Sequence, residues 1–273
     1  MDNYICKIER AFQPGGLRPS EDHLVCAGDL FGVFDGASSL VADLYDGWTG
    51  ALWASHLVSS EFAKNDAPLI DLGLRANERL RFAMATEGVD SDDKLACWST
   101  SAAVLKVGEK TLEWLQIGDS QIMAITDSGE YRLLTDYYNH DSLTLKQLKS
   151  LFEQGDSDPH KTLKPYVEQV RRQMNRNYGA MNGAAEALDF FKAGSCPLNG
   201  ISHLLLFTDG LLPPSEDPEQ EHDFQWIADL YLQGGLSLVQ ELIRRKEMSD
   251  PECRFYPRFK THDDIAAIAL SLN

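Results

Sequence analysis

Four acidic sites stand where a β-rich run meets a turn. Phe31-Gly32-Val33-Phe34 ends in Asp35-Gly36, and Leu115-Gln116-Ile117-Gly118 ends in Asp119-Ser120. Leu204-Leu205-Leu206-Phe207-Thr208 ends in Asp209-Gly210, and Asp263-Asp264 stands directly before Ile265–Leu270. A strand end is rigid and aspartate has the shortest carboxylate arm, so such positions fix oxygen atoms at small entropic cost. A following glycine lets the backbone turn sharply and leaves its carbonyl open to an ion. Hard divalent cations such as Mg²⁺ or Mn²⁺ take oxygen ligands in octahedral array and keep several waters. The pattern points to a cation site. One Asp-Gly by itself is a turn signal, and spacing alone does not make the four sites converge.

The elements that must position them alternate in blocks. Short apolar runs at Leu24–Ala27, Phe31–Phe34, Ala102–Val107, Thr111–Ile117, Gln121–Thr126, Tyr131–Leu134, His203–Phe207 and Ile265–Leu270 are bounded by Gly, Asp, Ser or Asn and read as strands. Asp127-Ser128-Gly129 is a hairpin signal between two of them. Leu44, Trp48, Leu52, Ser55, Val58 and Phe62 recur at helical spacing and predict a helix from about Val41 to Ala63. Leu72, Ala76, Leu80 and Ala83 predict a second, weakened by Gly73, and Leu163, Tyr166, Val170 and Met174 a third. Leu238, Leu242 and Ile243 predict a later one. Strands cluster like hairpins instead of alternating strictly with helices, which favours α+β layers with antiparallel sheets. The polar, partly helical stretch 136–199 reads as an insertion between strands of one domain spanning 1–273.

Composition narrows the function classes. A chain of 273 residues that is 43% hydrophobic can bury a substantial core. A formal charge of -17 argues against nucleic acid or an anionic membrane as partner, since both require positive surface. The longest apolar runs are far too short to cross a bilayer, and Met1 to Arg10 mixes charges with an Ile5/Ile8 pattern unlike a signal peptide. Five scattered cysteines without a C-x-x-C argue against a disulfide framework and for a reduced, cytoplasmic setting. His23, His56, His203 and His262 form no H-x-x-x-H pair, so they read as core or surface residues. Arg171-Arg172, Arg176, Asn175 and Asn177 make a basic patch near the flap that reads as a solvated helix face, with contact to a phosphorylated substrate as the alternative.

The ordered set Glu21-Asp22, Asp35-Gly36, Ser99-Thr100, Gly118-Asp119-Ser120, Thr208-Asp209-Gly210 and Asp263-Asp264 resembles the type 2C metal-dependent protein phosphatase family, over about Arg18 to Leu270. The resemblance implies a four-layer α-β-β-α sandwich with two central antiparallel sheets and a metal centre at one end. It implies that Asp35 bridges two ions, that the Gly36 carbonyl binds the first, and that Asp209 and Asp263 bind the second. Asp119, with Asp209, matches a weaker third-metal site. Asp22 and Glu21 would hold waters around the ions, and Arg18 would contact phosphate. A water bridging the two Mn²⁺ or Mg²⁺ ions would attack the phosphorus of phosphoserine or phosphothreonine in a protein substrate. The 136–199 insertion would cover the flap beside the cleft.

The chain departs from the family pattern in three places. Ala37 stands where many relatives carry a histidine, Leu17 holds the position of the usual phosphate-binding arginine, and Asp264 replaces an asparagine. Asp263 is preferred as the ligand from its register with Ile265. Two other readings compete. A catalytically weak relative acting as a regulatory protein-binding module would be expected to lose a metal ligand, whereas Asp35, Asp209 and Asp263 are all present. A haloacid-dehalogenase mechanism needs a second aspartate two residues after Asp35, where Ala37 stands. Oligomeric state has no signature in the sequence.

Overall fold

The computed structural model describes residues 4–41 and 43–273. Its strands are β1 (Ile5–Gln13), β2 (His23–Ala27), β3 (Leu30–Gly36), β4 (Leu44–Tyr45), β5 (Trp48–Thr49), β6 (Thr100–Val107), β7 (Thr111–Ile117), β8 (Gln121–Thr126), β9 (Tyr131–Leu133), β10 (Lys192–Pro197), β11 (Ile201–Phe207) and β12 (Ile265–Leu272). The helices are α1 (Gly50–Phe62), α2 (Leu69–Thr86), α3 (Ser142–Glu153), α4 (Pro159–Arg171) and α5 (Phe224–Met248). One sheet runs β1-β12-β11-β8-β9 and the other β10-β7-β6-β3-β2. Every pairing within them is antiparallel.

The period-two alternation of the strands builds four layers. Phe31 and Val33 of β3, Leu105 of β6, Leu204 and Leu206 of β11, and Ile268 of β12 interdigitate between the sheets. Their neighbours point outward: Leu30 and Phe34 pack under α1 and α2 with Leu57, Phe62 and Leu80. On the far side Leu205, Phe207 and Ala267 pack under α5 with Ile227, Val239 and Ile243. Central strands buried on both faces must be apolar throughout, which is why these runs were legible. This is the α-β-β-α sandwich that the family resemblance implied.

Several elements differ from expectation. The helix predicted from Val41 begins only at Gly50, because Asp46-Gly47 makes a hairpin turn between β4 and β5 with both residues at positive φ (51° and 82°). Thr49 then caps α1, its Oγ1 accepting the Leu52 amide at 3.1 Å. Ala42, and Met1–Asn3 at the start, lie outside the described residues. β1 and β10 are sheet edges whose exposed, charged or small residues hide the strand pattern. β10 falls inside the expected insertion and pairs with β7, while α3 and α4 form a separate hairpin around Leu148, Leu151 and Leu163. The α5 helix is broken at Gly234-Gly235, where the carboxylate of Glu9 accepts the Leu236 amide at 3.2 Å. All five cysteines are free, and no helix among the described residues is long and apolar enough to cross a membrane.

Candidate metal centre

Strand direction decides which chain ends meet. Asp35 pairs with Ser101 at the start of β6, and Ala102 pairs with Ile117 at the end of β7. In the other sheet Phe207 pairs with Gln121 at the start of β8 and with Ala267 near the start of β12. Gly118-Asp119-Ser120 crosses between the sheets, with Gly118 at φ 86° and Ser120 Oγ within 2.6 Å of Ser101 Oγ. The end of β3, the β7–β8 crossing, the exit of β11 and the approach to β12 therefore share one edge of the sandwich. Asp35, Asp119, Asp209 and Asp263 all sit there.

Hydrogen bonds hold this edge together. Asp22 is 2% exposed and its Oδ2 accepts the Thr208 hydroxyl at 2.8 Å. Thr208 Oγ1 in turn accepts the Ala266 amide at 3.0 Å, locking the β11 exit to β12. The Asp35 carbonyl accepts Thr100 Oγ1 at 2.7 Å, and Asp35 and Asp209 lie within hydrogen-bonding reach of each other. Asp264 turns away from this group: its two oxygens accept the amides of Gly15 at 2.6 Å and Glu21 at 2.7 Å. A Cβ on Gly36 would stand 2.6 Å from the carbonyls of Glu21 and Ala51, so only glycine fits after Asp35.

The site is short of positive charge. Burial pushes the carboxyls of Asp22 and Asp35 well above the usual range, and neighbouring aspartates add to it. Asp209 is pushed up to about 8, by burial first and then by Asp263 and Asp119. Among the described residues no three acidic, histidine or cysteine side chains form a ready-made ion cage. An all-oxygen set in mutual repulsion nonetheless fits a hard divalent cation, which completes its octahedron with water. The folded, metal-free protein must hold protons that the unfolded chain releases above about pH 4. Unfolding then releases protons, so stability falls as pH rises between about 4 and about 8. In chelator the melting temperature should be higher at about pH 6 than at about pH 8, and Mn²⁺ should flatten the slope. Melts showing the opposite slope in chelator would contradict this electrostatic picture.

A cavity of about 160 Å³ adjoins the cluster, lined by Asp119, Asp209 and Asp263 together with Tyr137, Phe259 and Lys260. His140 stacks on Tyr178 with ring centroids 4.1 Å apart and brings Nδ1 to 3.8 Å from Asp119. Glu21 lies next to Asp22 in sequence but its carboxylate is engaged elsewhere, accepting Ser38 Oγ and Thr49 Oγ1 at 2.6 Å each. Arg18 is exposed and, among the described residues, makes no hydrogen bond or ion pair; its loop is tied to the site through Gly15 and Asp264. The structure thus gathers Asp22, Asp35, Gly36, Asp119, Asp209 and Asp263, and leaves Arg18 apart.

Sequence reasoning missed two groups. Arg171, read as part of a solvated face, donates Nη2 to the Ser38 carbonyl at 3.1 Å and ties the end of α4 to the turn after Asp35-Gly36. Lys260 places Nζ 2.6 Å from Asp263 Oδ1. Its signal was a lone cation three residues before the acidic pair.

Comparison with known proteins agrees with this architecture. The serine/threonine phosphatase PstP/Ppp of Mycobacterium tuberculosis superposes with a TM-score of 0.63 at 17% identity, covering 98% of each chain. The catalytic domain of PstP in complex with two manganese ions gives 0.59 at 16% identity, covering 97% of each. Stp1 of Staphylococcus aureus gives 0.55 at 16%, covering 98% of this chain and 95% of that one. These likenesses carry the fold. No curated protein gives a sequence match. The sequence pattern of the family described as protein phosphatase 2C matches residues 19–233, most of the chain. This chain belongs to the protein phosphatase 2C family.

Proposed function

We propose that this chain is a metal-dependent serine/threonine protein phosphatase acting on phosphorylated proteins. The observation that carries the reading is the meeting of Asp22, Asp35, Asp209 and Asp263 at one edge of the sandwich, each acidic and none but Asp263 paired to a cation among the described residues. Asp35 would take part in holding both ions, the Gly36 carbonyl would help hold the first, and Asp209 and Asp263 would hold the second. Commitment of both Asp264 oxygens to backbone amides supports Asp263 as the ligand. Asp119 with Asp209 is the proposed third, weaker position. When bound, Mn²⁺ or Mg²⁺ supplies an activated water nucleophile and neutralises the phosphoryl oxygens.

The remaining roles belong to the polypeptide. Asp22, fixed by Thr208, orients water at the cluster. Glu21 holds Ser38 and Thr49, which keeps the turn after Gly36 in place for the carbonyl to face the site. Arg18, uncommitted on a loop anchored at Asp264, is the proposed phosphate contact. Within 136–199, the part that precedes β10 is the proposed flap of a single phosphatase domain, and a cytoplasmic placement fits the free thiols.

An assay of phosphopeptides tests the reading. Phosphoserine and phosphothreonine peptides should be hydrolysed with Mn²⁺ or Mg²⁺, activity should vanish in chelator, and thiol alkylation should leave it intact. Activity that survives chelation, or a preference for phosphotyrosine, would overturn it.

A further inference from the structure

Lys260 lies in the short stretch between Arg258 and β12, and that stretch is anchored at many points. The Asp250 carboxylate accepts the amides of Arg254, Phe255 and Tyr256 at 3.1, 3.0 and 2.7 Å. The Arg258 guanidinium donates to the carbonyls of Glu247, Asp250 and Tyr256 at 3.2, 2.6 and 2.8 Å. Cys253 Sγ meets the Lys260 carbonyl at 3.5 Å, and Arg244 Nη2 donates to the Asp263 carbonyl at 2.6 Å. The lysine therefore projects from a fixed backbone base.

Its ammonium goes to the carboxylate proposed to bind the second ion. Asp263 Oδ1 accepts Lys260 Nζ at 2.6 Å and the Asp264 amide at 2.8 Å, while Oδ2 receives no donor among the described residues. The positive charge also acts on Asp35 and Asp209, the other proposed ligands of that ion. We infer that Lys260 is a built-in counter-ion of the metal centre, neutralising Asp263 in the metal-free protein and competing with the second divalent cation for it. The inference rests on the proposed ligand set.

Electrostatics makes the competition unavoidable. An ammonium and a divalent cation on one carboxylate repel each other strongly at such range, and water screens poorly inside a cluster of partly buried groups. The second ion must therefore displace Nζ or bind at the free Oδ2 against its repulsion. The lysine side chain is 45% exposed and lines the cavity beside Asp209, so it has somewhere to go. The consequence is a site whose second cation is held more weakly than the ligand set alone would allow, and whose empty state is less self-repelling.

Calorimetric Mn²⁺ titration of the parent protein, Lys260→Met and Lys260→Arg tests this, with melting in chelator as a second readout. Lys260→Met removes the charge at similar length and should tighten the second binding event by about ten-fold or more. The same variant should melt below the parent in chelator, where Asp263 has lost its partner. Lys260→Arg keeps the charge and should titrate like the parent. Two bound ions with affinities unchanged in Lys260→Met, or equal tightening in Lys260→Arg, would overturn the inference and leave the metal centre standing. Absence of Mn²⁺ binding in all three proteins would overturn the metal centre itself, and the inference with it.

Discussion

Asp209→Asn should lower Mn²⁺-supported turnover by about a thousand-fold or more while leaving the protein folded. The substitution keeps the size and one side-chain oxygen but removes a negative charge from the group proposed to bind the second ion. It also alters the partner of Asp35, which lies within hydrogen-bonding reach. Loss of activity alone could come from misfolding, so the second half of the expectation matters. Asp209 is held near neutral in the metal-free protein, by burial and by the repulsion of Asp263 and Asp119. An amide carries no such penalty. In chelator the variant should therefore melt above the parent, by a margin that grows from about pH 6 to about pH 8. A function-bearing cluster that destabilises its own fold is a common trade-off. Full activity with two bound ions would remove Asp209 from the proposed ligand set.

Gly210→Ala should destabilise the fold by about 3 kcal/mol or more, a fall of roughly 5–10 °C in melting temperature for a chain of this size. A Cβ at position 210 would overlap the carbonyl oxygen of Asp264 and crowd its carbon at 2.8 Å. That carbonyl belongs to backbone at the start of β12, whose strand is paired on both sides, so it has little freedom to retreat. Asp263 and Asp264 would shift with it, and metal binding should weaken in parallel. Gly16→Ala is the matched control, because nothing lies within 4 Å of a Cβ there. It should change stability by no more than about 0.5 kcal/mol. Thermal melts of the two variants, with and without Mn²⁺, decide the matter.

These expectations show where local pattern suffices. Asp35-Gly36, Asp209-Gly210 and Asp263-Asp264 could be read as strand-end carboxylates because the runs beside them are buried on both faces and so apolar without interruption, while the run before Asp119 shows the alternation of a strand with one more exposed face. β1 and β10 escaped for the converse reason, since an edge strand need not bury both faces. The start of α1 was misplaced because apolar spacing at Leu44 and Trp48 mimicked a helix, while the Asp46-Gly47 turn carried the stronger local preference. Glu21 was paired with Asp22 by adjacency, yet successive residues point in different directions, and its carboxylate engages Ser38 and Thr49.

By itself, then, the order of residues determined the layer class, the family and the identity of the acidic positions, because each is written in short-range chemistry. Only the tertiary structure decided that those positions share one edge, that Asp264 turns to the amides of Gly15 and Glu21, and that Lys260 stands on Asp263. Such facts depend on strand direction and on contacts between residues as far apart as Gly15 and Asp264. Long-range proximity is a property of the packed chain, and no local preference encodes it.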